Sequence, residues 1–425
     1  MMIEPAHEPR VGIRDIFHSL NGAQASSAFV SFIFAVSAPI AIIIGAGTKG
    51  GLSEVEIASW IFAAFTINGI LSIGLSIAYR MPLAHLWAIP GAAIAAQALT
   101  HLSFAEVIGA YMVCGALLFV LALTGAVRRI MAWLPLPIVM GMVAGIFLQF
   151  GIDWIDALAG APWIAVPMTI AYFALSLSPL LSRRIPPLIG VLLVGIVAVV
   201  ADGGGASAGA SGYEPLLGRL AWPALFAPRF SLQAMVELVI PLAVTVLVAQ
   251  NAQGLAILRA GGFRPPVNAI TAACGVGSLA TACFGCVPTC LTGPSNAILS
   301  SAGRREDQFA AAILFSLLAI LFGALAPLVI AVLLATPPAF IATLAGLALL
   351  RVLQQSFQTS FSGRFTLGAM VAFMVTIADQ PLLNIGAPFW SIVAGMLTSL
   401  LLEPGDRSFR DDVGRENGAT GGSPR

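Results

Sequence analysis

The chain has 425 residues, of which 9% are charged and 59% are apolar. A soluble globular domain carries about 25% charged residues, so 20 basic and 19 acidic side chains are too few to cover a soluble surface of this size. With a mean hydropathy of +0.96, the composition describes an integral membrane protein whose surface faces lipid. A net charge of +1 also excludes a basic nucleic-acid binder. Apolar stretches here are continuous rather than alternating, which excludes a transmembrane barrel and predicts an all-α bundle.

In chain order, residues 1–28 read as a polar tail holding Arg10, Arg14, Asp15 and His18, without the pattern of a cleaved signal peptide. Apolar segments follow at 29–47, 57–78, 105–126, 134–151, 163–181 and 187–201. A polar loop over 202–230 then connects to segments at 231–258, 265–282, 308–334, 337–352, 365–380 and 388–402. Residues 403–425 form a charged, Gly-rich tail. Two more segments, 82–99 and 286–302, are apolar but broken by Pro and Gly. Counting both predicts fourteen membrane segments, the third and tenth of them broken.

The basic residues support that count. With the N-terminus inside, seventeen of the twenty fall on the inner side and only Lys49, Arg219 and Arg229 fall outside. Such a bias follows the positive-inside rule and places both termini in the cytoplasm, with 202–230 external. The prolines add a repeat: Pro39 and Pro241 are 202 residues apart, while Pro137 and Pro338, and Pro187 and Pro388, are 201 apart. Seven segments per copy is an odd number, so 29–201 and 231–402 form a 7+7 inverted repeat, an arrangement common among secondary transporters.

The broken segments are the expected site. Pro82 and Pro90 bound a stretch ill suited to helix, and Pro90 then suits a first helical turn. An extended piece to Ile89 followed by a half-helix is predicted, and Cys286–Ala302 has the same plan around Gly293-Pro294. Inverted topology points the two half-helix starts at each other, where free N–H groups and positive dipole ends suit an anion. Trp87, Gly91, Ala92, Thr292, Ser295 and Asn296 fall there. Gln250 and Asn251 join them, because Gln250 lies about 13 Å from the inner interface marked by Arg259. Amides at that depth are costly unless they are paired or face a cavity. The competing reading is interhelical hydrogen bonding alone.

Ionisable groups within the segments are few. Glu106, Glu237 and Asp379 map to the outer third, and Asp153 and Asp156 to an outer loop. His85 is placed near the midplane, about 16 Å deep along an extended piece. It is the candidate for coupling a proton to solute, against the reading of a neutral hydrogen-bonding histidine. Cys283, Cys286 and Cys290 invite an intramembrane thiol enzyme or redox sensor, but they lack nearby His or acidic ligands, and Cys mostly fills space in membrane helices. No Walker loop, triad or zinc-protease pattern occurs, so no enzyme activity, metal or cofactor is expected.

Further stretches carry a family resemblance. Tyr79-Arg80-Met81-Pro82 with Trp87 and Pro90-Gly91-Ala92-Ala93, Ala249-Gln250-Asn251 with Gly254 to Ala260, Gly262-Phe263-Arg264-Pro265-Pro266, and Asn384 to Trp390 resemble the benzoate:proton symporter (BenE) family. The resemblance covers the whole membrane part. It implies proton-driven uptake of benzoate or a similar aromatic carboxylate across the bacterial inner membrane. It also implies kinship with the fourteen-span uracil-type and SulP permeases, which are often homodimers. Uracil-type permeases usually carry a carboxylate where Gln250 stands, which argues against a nucleobase. The expected partners are a small organic anion, a proton and the lipid bilayer.

Overall fold

The computed structural model describes residues 3–5, 12–37, 39–177, 187–201, 223–301, 303–328, 330, 337–380, 382 and 387–406. Most of the 202–230 loop, most of the C-terminal tail, the Asn384-Ile385-Gly386 part of the resemblance, and Arg10, Arg183, Arg184 and Arg219 lie outside the described residues. Helices dominate. The first half gives α1 (Ile13–Ser19), α2 (Gly22–Ser37), α3 (Pro39–Lys49), α4 (Glu54–Tyr79), strand β1 (His85–Trp87), α5 (Ile89–Ala98), α6 (Phe104–Thr124) and α7 (Val127–Trp133). It continues with α8 (Leu136–Gly160), α9 (Pro162–Leu177) and α10 (Pro187–Ala201). The second half gives α11 (Leu232–Ala260), α12 (Val267–Ala282), strand β2 (Thr289–Leu291), α13 (Gly293–Leu299), α14 (Gln308–Ala324), α15 (Pro338–Phe361), α16 (Thr366–Ala378) and α17 (Ala387–Leu402).

Seven helical stretches among the described residues are long and apolar enough to cross a membrane, and six more apolar helices are 10–17 residues long. Local sequence explains their ends. Ser53–Glu56 and Ser103–Glu106 form capping boxes at the starts of α4 and α6. Prolines at the first turn begin α5, α8, α13 and α15. Glu4 caps α12 from a distance: its carboxylate accepts from the backbone N–H groups of Asn268 and Ala269 at 3.0 and 3.1 Å. Among the described residues, three π-helical turns interrupt otherwise regular helices, at Ala63–Ile67 in α4 and at Met235–Val239 and Thr245–Asn251 in α11. Such turns often accompany function.

Several boundaries differ from the sequence reading. The segment expected at 134–151 runs on to Gly160, so Asp153 and Asp156 sit on a helix rather than in a loop. The segment expected at 337–352 continues to Phe361, past Arg351 and three glutamines. Hydropathy ends where the polar residues begin, but the helix persists because its other faces still pack. Helices also form within the expected tail, at Ile13–Ser19 and from Gly22.

The helices from the two halves of the chain interleave. One cluster combines α2–α6 with α11–α14, and the other combines α8–α10 with α15–α17. Close approach at small residues draws them together. A Cβ on Gly275 of α12 would lie 2.6 Å from the Phe119 backbone nitrogen of α6, and one on Gly115 would lie 2.9 Å from the Ser278 Cβ. Glycine pairs of this kind let membrane helices gain dispersion contacts that lipid cannot supply.

Candidate functional site

The two broken segments form the extended pieces and half-helices that their prolines predict. β1 and β2 pair antiparallel, with His85 opposite Leu291, Leu86 opposite Cys290 and Trp87 opposite Thr289. Ala88 N–H donates to Pro288 O at 3.0 Å, and Thr292 N–H donates to Ala84 O at 3.1 Å. An extended strand inside an apolar bundle must satisfy every backbone group internally. Two strands leave two outer edges, and side chains close both. Ser72 Oγ accepts from His85 N–H at 2.8 Å, and Asn296 accepts from Ala84 N–H and donates to Ala84 O, each at 3.0 Å. On the other strand, Ser278 Oγ accepts from Thr289 N–H at 2.9 Å and Asn251 Oδ1 from Leu291 N–H at 2.8 Å. The Thr289 hydroxyl donates to Asn68 Oδ1 at 2.8 Å.

The residues singled out from the sequence therefore fall into two sets. Asn251 and Asn296 have their amides engaged in the strand frame. Trp87, Gln250, Thr292 and Ser295 line one cavity of about 20 Å³, together with Phe34, Ala35, Leu86, Ile89 and Pro294. The Trp87 indole N–H, the Gln250 amide and the Thr292 and Ser295 hydroxyls make no hydrogen bond to any described residue. Polar groups left free in a bundle interior are expensive unless something else binds them. Gly91 and Ala92 lie behind this wall: both are buried, and a Cβ on Gly91 would meet Leu242 at 3.2 Å. Helix α13 spans only seven residues, so its contribution is the Thr292 and Ser295 hydroxyls rather than a long dipole.

His85 is fully buried, and neither ring nitrogen has a hydrogen-bond partner among the described residues. It does not line the cavity that Trp87 lines. All five cysteines are free, and Cys274 Sγ hydrogen-bonds the Asn251 amide as part of the frame. Among the described residues no three His, Cys, Asp or Glu side chains cluster as a metal site.

A larger cavity of about 430 Å³ lies between the two clusters, walled by α3 and α5 on one side and α8 and α15 on the other. Ile341, Phe150 and alanines supply its apolar wall, and Lys49, Gln97, Gln149 and Asp153 its polar groups. Ala93 lines this vestibule and Ile89 the small cavity. Four residues apart, they share one face of α5.

Sequence reasoning missed one polar feature. Glu237 is buried at 4% exposure, not merely interfacial, and both its oxygens lie 3.0–3.1 Å from His101 Nε2. It sits in the first π-helical turn of α11. Asp379, after α16, lies within electrostatic range of both His101 and Lys49. A histidine 136 residues away in sequence gives no local signal of the pairing.

Extended pieces held inside a helical membrane bundle, paired to each other and backing a cavity of free polar groups, are the mark of a membrane transporter. The comparisons agree. A family described as "Benzoate membrane transport protein" (BenE) matches residues 19–401, and the chain belongs to that family. It is similar to the inner membrane protein YdcO of Escherichia coli K12, with 29% identity over 384 residues covering 88% of this chain and 94% of that one. It is also similar to the benzoate membrane transport protein of Acinetobacter baylyi, with 28% identity over 378 residues covering 88% and 93%. Among solved structures, the transmembrane domain of a cyanobacterial bicarbonate transporter, BicA, aligns with a TM-score of 0.60 at 14% identity, covering 91% of this chain and 99% of that one. The murine anion transporter Slc26a9 aligns with a TM-score of 0.62 at 12% identity, covering 92% and 69%. The fold is thus shared with anion transporters, and the family and the Acinetobacter baylyi relative are named for membrane transport rather than for an enzyme activity.

Proposed function

We propose that the protein is a proton-coupled symporter that takes up benzoate or a similar aromatic carboxylate across the bacterial inner membrane. The observation that carries this is the convergence of Trp87, Gln250, Thr292 and Ser295, with free polar groups, on one cavity beside the start of α5. The amide and hydroxyls bind the carboxylate, the α5 N-terminus favours its charge, and Trp87 with Phe34 packs on the ring. Asn251 and Asn296 act indirectly by holding the strands. At about 20 Å³ the cavity has room for about one water, so this is a closed arrangement and solute entry requires it to widen. Solute arrives through the vestibule between the clusters.

The membrane arrangement belongs to the same proposal: fourteen crossings as a 7+7 inverted repeat, both termini cytoplasmic, in a homodimer. The antiparallel β1–β2 pairing and the matched strand-then-helix plan of the two broken segments support inversion. Because the clusters interleave the two halves, the bodies that move are these clusters and not the two repeats. His85 is the proton-coupling residue in this reading, supported by its burial and its unpartnered ring.

Uptake of labelled benzoate into proteoliposomes, with and without an inward proton gradient, tests the proposal. Gradient-dependent accumulation is expected, with competition by aromatic acids and little by uracil or sulfate. The proposal fails if no aromatic acid accumulates under a gradient. Flux that follows the benzoate gradient and ignores pH would instead identify a channel.

A further inference from the structure

Two stretches that carry the family resemblance take no part in the site above. Tyr79-Arg80-Met81 closes α4, and Gly262-Phe263-Arg264 turns between α11 and α12. They converge with Arg305 and Glu306, just before α14, on a third cavity of about 620 Å³. All eight lining residues belong to the cluster that carries β1 and β2, so this space is separate from the vestibule between the clusters.

The cavity is strongly basic, with three guanidinium groups against the one carboxylate of Glu306. Two of the arginines are held by aromatic rings. Arg80, in the left-handed region at φ 50°, lies 5.5 Å from the Phe309 ring centroid, and Arg305 lies 5.7 Å from that of Phe263. Arg305 Nη1 also donates to Gly262 O at 2.8 Å. Arg264 makes no hydrogen bond or ion pair with any described residue. Two other acids lie close by: Asp307, in electrostatic range of Arg80, is paired with Arg304 at 3.0 Å, and Glu4, whose backbone O accepts from the Tyr79 hydroxyl at 2.8 Å, has its carboxylate engaged by Arg128 and by the N–H groups of Asn268 and Ala269. A guanidinium stacked on a ring keeps the edge of its donor fork available to an oxyanion. Three like charges in one concavity repel until an anion neutralises them.

We propose that this cavity binds a phosphoryl group, held by Arg80, Arg264 and Arg305 and distinct from the solute site. Three forked donors match the several oxygens of a phosphate better than the two of a carboxylate. The cavity lies among the loops where the basic residues gather, so the group belongs either to an anionic phospholipid or to a free phosphate. A ligand there ties together the loops that follow α4, α11 and α13, and so braces the cluster that carries the solute site.

The test is thermal unfolding of the purified full-length chain in neutral detergent, in two arms. One compares phosphatidylglycerol with phosphatidylcholine in mixed micelles, and the other compares inorganic phosphate with chloride at matched ionic strength. A saturable rise in unfolding temperature is expected in one arm, which then assigns the source. The triple variant Arg80→Gln/Arg264→Gln/Arg305→Gln should weaken that binding about tenfold or more, while Arg129→Gln, on an exposed arginine outside the cavity, should not. Should the triple variant fail to fold, Arg264→Gln alone, which breaks no bond, should weaken it several-fold. Stabilisation by benzoate should survive in either variant, which separates this inference from the transport reading. No anion-specific rise in either arm, or an equal rise in the variants, overturns the proposal.

Discussion

The two amides Asn296 and Gln250 offer the sharpest contrast in the molecule. Asn296 makes two hydrogen bonds to Ala84 and is fully buried. In Asn296→Ala the Ala84 N–H loses its acceptor inside the bundle, while Ala84 O keeps the Thr292 N–H. An unsatisfied buried donor costs about 1–3 kcal/mol, so a loss of about 2 kcal/mol in stability is expected, together with lower transport. Gln250 has no bonded partner among the described residues, so Gln250→Ala should change stability by about 0.5 kcal/mol or less. Its effect should appear with solute: benzoate at a hundredfold excess over Kd stabilises the wild type by about 2.7 kcal/mol, and that gain should fall sharply in Gln250→Ala. Melting curves in detergent with and without benzoate, run beside proteoliposome uptake, measure both effects. Equal destabilisation by the two variants without solute would refute the division into frame and ligand groups.

Three further outcomes follow from the same geometry. Glu237→Ala removes the carboxylate that His101 holds, and a stability loss of about 1–2 kcal/mol is expected in detergent melts; an unchanged melt would mean that the pair contributes nothing. Lys49→Gln removes the cation at the vestibule, so the KM for benzoate should rise several-fold at low salt and approach wild type at high salt, where charge is screened. A salt-independent change would contradict an electrostatic role. Glu4→Ala uncaps α12, which should cost about 1 kcal/mol and raise amide hydrogen exchange at Asn268 and Ala269; unaltered exchange there would count against the cap.

Much of this architecture was legible because the membrane enforces simple rules. Pro82, Pro90, Pro288 and Pro294 mark breaks that no apolar helix needs, and strand pieces with half-helices form at both places. Gln250, singled out by its expected depth relative to Arg259, lines the small cavity. What hydropathy cannot carry is direction. Gln250 and Asn251 are neighbours at one depth, yet consecutive helical residues point to different sides, cavity for one and β2 for the other. The same blindness hid the His101–Glu237 pair, which depends on the meeting of two distant elements. The ends of α8 and α15 were lost because Asp153 and Arg351 read as interface markers when their helices continue past them.

The hydrogen-bonded seam between β1 and β2 has a consequence for motion. Its strands come from opposite halves of the chain, and Ser72, Ser278, Asn251 and Asn296 rivet its margins to α4, α12, α11 and α13. Pulling one strand drags the other. In the proposed cycle the two strands and the helices bonded to them travel together as a cassette past α8 and α15, while the cavity itself widens where unbonded side chains such as Phe34 and Gln250 line it. Selectivity and gating are then separable traits, the first written in the cassette and the second in the surface along which it slides.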